Sequence, residues 1–216
     1  LDETSGTAAA DSSGNANHGT YTGGPTLGGS APQRLGAYFA VNGQYVISPA
    51  SSALNALGAG NTDFSVAFWI KPNGTNGGWR PLLHKGATDT ERGPGLWLNP
   101  GNNRVHFRVS TTANWNEGTD SVANLPDGVW SHIACVKAGN KWRCYINGVL
   151  DTEFTLSAGT TGNNGPLYVG DDPWYPGSKV WIDDVRLYNG ALTVAEVKNL
   201  FGFVGYWKLN ETTGTA

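Results

Sequence analysis

The sequence predicts an all-β fold, a two-sheet antiparallel sandwich of the jelly-roll type with one short helix near the C-terminus. Three observations lead to this prediction. Thirty-one glycines and eleven prolines divide the 216 residues into short segments. Nine Trp, eight Tyr and seven Phe supply residues that strands favour. Short apolar segments separated by turn residues recur along the chain, which is long enough to bury one substantial core.

Hydrophobic alternation and turn signals place the strands. Residues 63–72 alternate so that one face is apolar, and residues 128–150 form a hairpin with Gly139-Asn140 at its tip. Residues 37–48 read as a second hairpin around Asn42-Gly43, because this dipeptide favours tight turns. Further strands are predicted within residues 81–86, 94–99, 103–110, 166–170 and 178–190. The predicted core contains Phe64, Val66, Phe68, Ile70, Ile133, Ile146, Val185 and Leu187.

One segment, residues 192–202, has the pattern of a helix. Thr193 and Glu196 have the spacing of a capping box, and Gly202 stands where a helix commonly ends. The sequence therefore predicts a short helix that follows the last strand of the sandwich.

Composition excludes two classes of partner. Charged residues make up 14% of the chain, well below the roughly 25% typical of globular proteins, and the net charge is −3. A nucleic-acid-binding domain presents a basic face, so we expect no binding to nucleic acid. The sequence contains no apolar run of the length that crosses a bilayer, so we expect no membrane span.

The two ends of the sequence repeat each other. Leu1–Ala8 reads LDETSGTA and Leu209–Ala216 reads LNETTGTA, with six of eight positions identical. There is no methionine, and we interpret the chain as an excerpt from a tandem array. Residues 1–202 would form one unit and residues 203–216 the start of the next. We expect the strand GYWKL to pair back into the sandwich as its missing first strand, with exchange into a neighbouring molecule as the alternative.

The order of the motifs resembles a known family. DSSGNANHGT, YFAVNGQYVIS, FSVAFWIKP, DGVWSHIACV, YINGVL and IDDVRLYNGAL follow one another as in the bacterial laminin-G-like, or pentraxin-type, domains. These belong to the concanavalin A-like lectin/glucanase superfamily. The resemblance covers essentially residues 1–202. It implies a jelly-roll sandwich, often with a bound calcium, attached to secreted or cell-surface carbohydrate-active or adhesive proteins, and it implies no single ligand.

The residues that related glucanases use for catalysis are missing. A glycosidase needs two carboxylates flanking the scissile bond, and related enzymes carry them as Glu-x-Asp-x-x-Glu on one strand, a run that does not occur here. Glu117 and Asp120 come nearest, and we expect them in a solvated loop. The histidines have no metal-ligand spacing: His18, His84, His106 and His132. The sequence predicts a protein that is not an enzyme.

A structural calcium site is predicted from two motifs. Calcium prefers carboxylate, amide and carbonyl oxygens, and residues 11–19 supply Asp11, Asn15 and Asn17 on a glycine-containing loop. Period-2 alternation places Asp183 on the apolar face of its strand with Trp181, Val185 and Leu187, where a carboxylate needs a partner. The resemblance also joins these two motifs around one calcium. The alternative is that Asp183 accepts backbone hydrogen bonds and residues 11–15 form only a turn.

Three loops carry candidate carbohydrate-binding residues. Sugars bind where aromatic rings lie beside amides and carboxylates, and prolines on both sides stiffen the loop of residues 170–178. The alternative is that these rings fold back over the sandwich. The candidates are Trp174, Tyr175 and Asp172 in the first loop, Trp115 and Asn116 in the second, and Trp79 in the third.

The two cysteines face each other in the predicted hairpin. With Gly139-Asn140 as the turn, Cys135 lies opposite Cys144 at a non-hydrogen-bonded pair, where side chains approach closely enough for a disulfide. Two reduced cysteines packed beside Ile133 and Ile146 are the alternative. The extracellular setting that the resemblance implies favours the bond.

Together these observations predict a non-catalytic, lectin-like module of a secreted multidomain protein, with a polysaccharide or glycan and neighbouring domains of the same chain as partners. A structural or adhesive spacer repeat that contacts other proteins is the alternative. A glucanase-like hydrolase is a third alternative.

Overall fold

Two antiparallel β-sheets lie face to face in the computed structural model, which describes residues 1–202. The eight-stranded sheet has the order β1-β2-β5-β14-β7-β8-β9-β10, and the seven-stranded sheet has the order β13-β12-β11-β6-β15-β4-β3. The predicted sandwich is therefore confirmed. The strands are β1 (Ala8–Ala9), β2 (Gly19–Thr22), β3 (Thr26–Ala31), β4 (Arg34–Phe39), β5 (Tyr45–Ser48), β6 (Phe64–Pro72), β7 (Arg80–Lys85), β8 (Gly95–Leu98), β9 (Arg104–Val109), β10 (Glu117–Asn124), β11 (Ser131–Ala138), β12 (Lys141–Ile146), β13 (Val149–Thr155), β14 (Leu167–Val169) and β15 (Val180–Tyr188).

The core lies between the sheets and contains the predicted residues. Five of them are fully buried, and each such side chain contributes roughly 1.5–3 kcal/mol through the hydrophobic effect. Ile146, Val185 and Leu187 pack against this core and remain partly exposed. The fully buried five are Phe64, Val66, Phe68, Ile70 and Ile133.

The predicted hairpin at Gly139-Asn140 is confirmed. β11 pairs with β12 in the expected register, with Cys135 opposite Cys144. Both cysteines are buried free thiols, so the structure does not contain the predicted disulfide. A hydrogen bond between the two thiols, together with burial, raises the pKa of Cys144. The two cysteines pack here as small apolar residues, which is the alternative that the sequence analysis left open.

The predicted hairpin over residues 37–48 is wrong. β4 belongs to the seven-stranded sheet and β5 to the eight-stranded sheet, so the turn carries the chain across the core from one sheet to the other. Gly43 adopts φ +82, and its N–H donates to the carboxylate of Asp171 at 2.8 Å. The local turn signal was correct. The pairing partners of the two strands are distant in the sequence, and a local turn pattern carries no information about them.

Within residues 1–202, two α-helices flank the sheets, α1 (Ser52–Asn55) and α2 (Val194–Phe201), and a 3₁₀ turn covers Ala59–Asn61. α2 confirms the predicted helix: Thr193 and Glu196 form the capping box, and Gly202 ends the helix at φ +93. Val197 packs on the outer face of the seven-stranded sheet. None of the helices in the described part of the chain is long and apolar enough to cross a membrane. The predicted strand within residues 203–216 lies outside the described residues.

A β-bulge in β15 corrects the predicted face of Asp183. Ile182, and not Trp181, points into the core, and Val185 and Leu187 also pack against the core. The register with β6 shifts between Asp183 and Arg186, and Asp184 adopts φ +50. Simple alternation fails because the bulge inserts a residue and reverses the inward and outward positions after it.

Candidate functional site

The outer face of the eight-stranded sheet carries a continuous row of aromatic and polar side chains. Tyr168 on β14 pairs with His84 on β7, and Trp97 on β8 pairs with His106 on β9. On the side of β9 away from β8, Asp120 on β10 pairs with His106. The row exists because alternate residues of these strands, such as Leu83, Leu96 and Phe107, point inward to the core.

The first predicted loop, residues 170–178, folds onto this row. The Trp174 ring lies 4.9 Å from the His84 ring and 5.8 Å from the Tyr168 ring, measured between centroids. Tyr175 meets Trp97 edge-on at 6.2 Å. Asp172 is wholly buried, accepts a hydrogen bond from the Trp174 N–H and lies 3.3 Å from Nδ1 of His84. Asp172 therefore positions the Trp174 loop and is not exposed to a ligand.

The second predicted loop reaches the same row through Arg92. The Arg92 guanidinium carbon lies 4.4 Å from the centroid of Trp97 and 4.6 Å from that of Trp115. The guanidinium is therefore enclosed between two indole rings, a geometry in which cation–π attraction is strong because water is excluded. It also donates a hydrogen bond to the side-chain oxygen of Asn116. Asp89 balances its charge at 3.6 Å.

The third predicted loop contributes Trp79, whose ring lies 4.4 Å from His106. Nδ1 of His106 is 2.6 Å from the carboxylate of Asp120. Burial, with the nearby charge of Arg108, lowers the pKa of His106 to about 4, so its imidazole is neutral at pH 7. Burial alone would raise the pKa of Asp120, but hydrogen bonds from Asn99 and His106 outweigh it and lower the pKa.

The six predicted carbohydrate-binding residues therefore lie on one face of the molecule, which we call the aromatic face. Trp174 is 36% exposed and Trp115 is 44% exposed, so both rings rest on the sheet and still meet solvent. The sequence reasoning missed five residues of this face. Three of them, His84, Trp97 and His106, occupy outward positions of predicted strands. The other two, Asp89 and Arg92, lie in the turn of residues 87–94.

The sequence suggested that Glu117 and Asp120 lie in a solvated loop, and this expectation is wrong. Both belong to β10, where Glu117 pairs with Val109 and points inward, while Asp120 pairs with His106 and points outward. Glu117 is buried and accepts hydrogen bonds from Ser157 and Thr111. Two carboxylates on opposite faces of a strand do not flank one scissile bond.

The predicted calcium ligands line a second site, a cavity of about 790 Å³ between the sheets. Asp11, Asn15, Asn17 and Asp183 all contribute to its wall. Asp11 organises the loop by accepting hydrogen bonds from the N–H groups of Ser13 and Asn17. Burial would raise the pKa of Asp11, and these hydrogen bonds outweigh it and lower the pKa.

Asp183 is 2% exposed at this cavity and accepts a hydrogen bond from the Gln33 N–H at 3.0 Å. Burial raises the pKa of its carboxyl. Within residues 1–202, no three His, Cys, Asp or Glu side chains cluster closely enough to hold a metal by themselves. The oxygen donors present, two carboxylates and two amides, are nevertheless the kind that calcium accepts together with backbone carbonyls.

The two-sheet sandwich carries its aromatic rings on one outer face, and comparison with known families identifies its class. The family described as Laminin_G_3, of the Concanavalin A-like lectin/glucanases superfamily, matches residues 40–198. The chain belongs to this family. No curated protein matches the chain.

Solved structures share the fold at low sequence identity. The binding domain of Paraclostridial Mosquitocidal Protein 1 is 16% identical over 90% of this chain and 51% of that chain, with a TM-score of 0.70. Domain 4 of AbnA, an extracellular GH43 arabinanase from Geobacillus stearothermophilus in complex with arabinotriose, is 23% identical over 88% and 91%, with a TM-score of 0.61. A Trypanosoma rangeli sialidase is 18% identical over 93% and 31%, with a TM-score of 0.65. The chain thus spans about half of the toxin domain and about a third of the sialidase.

Proposed function

We propose that this domain is a non-catalytic carbohydrate-binding module that uses the aromatic face. The observation that carries the proposal is the convergence of three separate loops on one row of rings, with Trp115 partly exposed against Arg92 and Trp174 partly exposed against His84. Exposed indole rings stack on the apolar C–H faces of sugars. Rings already held by stacking lose little conformational freedom when a ligand binds.

The polar groups of the face suit a neutral or weakly charged sugar. The exposed rings are accompanied by the amide of Asn116 and the hydroxyl of Tyr175, while the charge of Arg92 is balanced by Asp89. Hydroxyl groups of a sugar find both donors and acceptors there. The arabinanase domain with bound arabinotriose and the sialidase, which share the fold, support a glycan as the ligand.

A glycan array followed by calorimetry on the full chain tests this function. We expect the double substitution Trp115→Ala and Trp174→Ala to weaken binding by about tenfold or more, or about 1.4 kcal/mol, as loss of exposed aromatic anchors does. Trp181→Ala is the matched control, because its ring stacks on Tyr38 on the other sheet at 5.0 Å. Equal affinity in the wild type and the double variant would refute the aromatic face as the site.

We further propose a structural calcium held by Asp11 and Asp183 with oxygens of the Asn15–Asn17 stretch. The support is that all these groups open into one cavity and that each carboxylate keeps lone pairs free after its hydrogen bonds. The ion would balance the buried charge of Asp183. We also propose that the domain is one repeat of a secreted multidomain protein.

One observation favours the alternative function, a spacer repeat that contacts other proteins. β10 and β13 present exposed apolar side chains at adjacent edges, where the Val122 N–H donates to Asp151. Val122 is 72% exposed and Val149 is 66% exposed. Protein contact there would leave the aromatic face free, so the glycan measurement separates the two functions.

A further inference from the structure

A second cavity, which we call the amide cavity, lies at the border of the aromatic face. Its volume is about 400 Å³, within the range of roughly 300–1,000 Å³ that small-molecule sites occupy. Within residues 1–202, its wall is formed by the end of α1, the 3₁₀ turn of Ala59–Asn61, Thr112 and residues 160–164. The polar side chains of this wall are asparagines and threonines, so the lining carries hydrogen-bonding groups and no charge.

Two backbone hydrogen bonds place the amide cavity next to the exposed ring of Trp115. The N–H of Ser110 donates to the carbonyl of Arg92 at 2.7 Å, and the carbonyl of Ser110 accepts from the N–H of Thr161 at 3.0 Å. Arg92 holds Trp115 on its guanidinium, while Thr161 lines the cavity. Neighbouring hydrogen-bonded segments are about 4.8 Å apart, so these two segments are separated by about 10 Å. A short oligosaccharide on Trp115 is long enough to reach the cavity.

A buried lysine fixes the orientation of the amides in the wall. Lys85 is 1% exposed, and its ammonium donates to the side-chain oxygens of Asn55 and Asn163, both at 3.0 Å. It also donates to the carbonyl of Gly165 at 2.6 Å. Burial lowers the pKa of Lys85 to about 8, so the ammonium keeps its proton at pH 7. Because an ammonium only donates, both asparagines turn their oxygens towards Lys85 and their NH₂ groups away from it.

The orientation of Asn55 in turn fixes that of Asn164. The NH₂ group of Asn55 donates to the side-chain oxygen of Asn164 at 3.1 Å, which leaves the NH₂ group of Asn164 as the free end of the series. Within residues 1–202, this NH₂ group and the hydroxyl of Thr112 have no hydrogen-bond partner, and both residues are exposed in the cavity wall. Hydrogen bonds in series polarise one another, so the buried ammonium strengthens Asn164 as a donor.

We propose that the amide cavity is a second subsite for the same glycan and receives the sugar unit beyond the one stacked on Trp115. This inference rests on the proposed function of the aromatic face and adds that the ligand is an oligosaccharide of neutral sugars. Asn164 donates to an oxygen of that unit, and the Thr112 hydroxyl donates to or accepts from one of its hydroxyl groups. The uncharged wall matches the neutral character of such a ligand.

The two parts of the site contribute differently to recognition. An indole ring holds a sugar by its apolar C–H face, a contact that many sugars can make. A donor held in one orientation discriminates between hydroxyl arrangements, because a sugar that lacks the matching acceptor leaves the donor unpaired. The amide cavity therefore adds selectivity to the affinity that the rings provide.

Nuclear magnetic resonance with methyl glycosides tests the amide cavity separately from the rings. The probes are the methyl glycosides of glucose, galactose, mannose, xylose and arabinose, added to the full-length chain that carries Trp115→Ala and Trp174→Ala. We expect saturable shifts of the side-chain NH₂ signals of Asn164 with at least one probe. The loss of these signals in Asn164→Ala assigns them. No saturable shift with any of the probes would overturn the subsite.

Calorimetry with two-unit and six-unit oligosaccharides of the glycan that the array selects tests whether both areas bind one ligand. The six-unit chain should bind the wild type more tightly than the two-unit chain does. The cavity variant, Thr112→Val with Asn164→Ala, should reduce this gain about tenfold through the loss of two hydrogen bonds.

The matched control is Asn140→Ala with Thr26→Val, because both residues are exposed and belong to β3 or to the Gly139-Asn140 turn of the seven-stranded sheet. An equal gain in the cavity variant and the control would overturn this inference and leave the aromatic face as the site. Equal affinities in the wild type and the Trp115→Ala, Trp174→Ala variant would instead refute the aromatic face.

Discussion

The hydroxyl of Tyr175 donates a hydrogen bond to the carboxylate of Asp89 at 2.8 Å and so joins two loops of the aromatic face. Asp89 also pairs with Arg92, whose guanidinium is enclosed by Trp97 and Trp115. The loop that bears Trp174 and the ring of Trp115 are thereby connected through one ion pair. A substitution that disrupts the Asp89–Arg92 ion pair should therefore alter the positions of both exposed rings, Trp174 and Trp115.

We predict that Tyr175→Phe weakens glycan binding several-fold while it lowers the free energy of unfolding by only about 0.5–1.5 kcal/mol, the usual contribution of one hydrogen bond. Calorimetric titration and denaturant unfolding measure the two effects. Tyr38→Phe is the control, because it removes a hydrogen bond of similar length, 2.7 Å, that the Tyr38 hydroxyl accepts from the Asn73 amide on the other sheet. Equal glycan affinities in Tyr175→Phe and Tyr38→Phe would show that the Asp89 bond does not hold the site.

Asp171 predicts a dependence of stability on pH. Burial raises the pKa of its carboxyl to about 7, and its second oxygen has no hydrogen-bond partner in the described structure. The native state therefore binds this proton more tightly than the unfolded state, whose aspartates titrate near 3.9. Its contribution to stability is fully present below about pH 4 and is lost as the pH rises through about 7.

Asp171→Asn removes this titration. We expect the free energy of unfolding of the wild type to fall relative to the variant between about pH 4 and pH 7, measured by urea denaturation at several pH values. Asp184→Asn is a suitable control, since Asp184 pairs with Arg186 at 2.9 Å. Parallel pH profiles for the wild type and Asp171→Asn would contradict the prediction.

Calcium should stabilise the native state if Asp11 and Asp183 hold it. We expect EDTA to lower the melting temperature, because a ligand bound only by the native state adds about 2.7 kcal/mol at a hundred times its dissociation constant. Asp183→Asn should abolish the calcium-dependent part of the melting temperature. Asp151→Asn, at the other end of the sandwich on β13, should retain it. An identical melting curve with and without EDTA would contradict the proposed calcium site.

Cys135 and Cys144 are free thiols in this structure, yet their register permits a bond. We predict that the protein becomes oxidised at this pair in an oxidising compartment, with a stabilisation of about 2–3 kcal/mol because the closed loop is short. Thiol titration of the denatured, unreduced protein decides the matter. Two reactive thiols after secretion into such a compartment would mean that the cysteines serve only as core residues.

The parts of the fold that depend on local sequence were predictable. The hairpin at Gly139-Asn140 and the capping box of Thr193 and Glu196 require only neighbouring residues, and both are present as expected. The turn at Asn42-Gly43 was recognised, but its strands joined different sheets because the partners of β4 and β5 lie far away in the sequence. Non-local pairing is the information that a local pattern lacks.

The candidate sites show the same division. The exposed rings of Trp174, Trp115 and Trp79 were visible as aromatic residues in loops, but their convergence depends on the order of strands in a sheet. The bulge at Asp184 has no clear sequence signature, since a non-glycine residue at positive φ is uncommon. Because of the bulge, Trp181 and Asp183 do not share the core-facing side of Val185 and Leu187, as simple alternation had predicted.

The aromatic face is built in two layers, and this arrangement separates folding from ligand choice. Trp97 and Arg92 are almost wholly buried and hold the rings that lie above them, whereas Trp115 and Trp174 are outermost. The outer side chains contribute little to the core of the sandwich. Repeated exchange of these two residues during evolution, with the inner layer retained, would yield related domains that recognise different sugars from one unchanged scaffold.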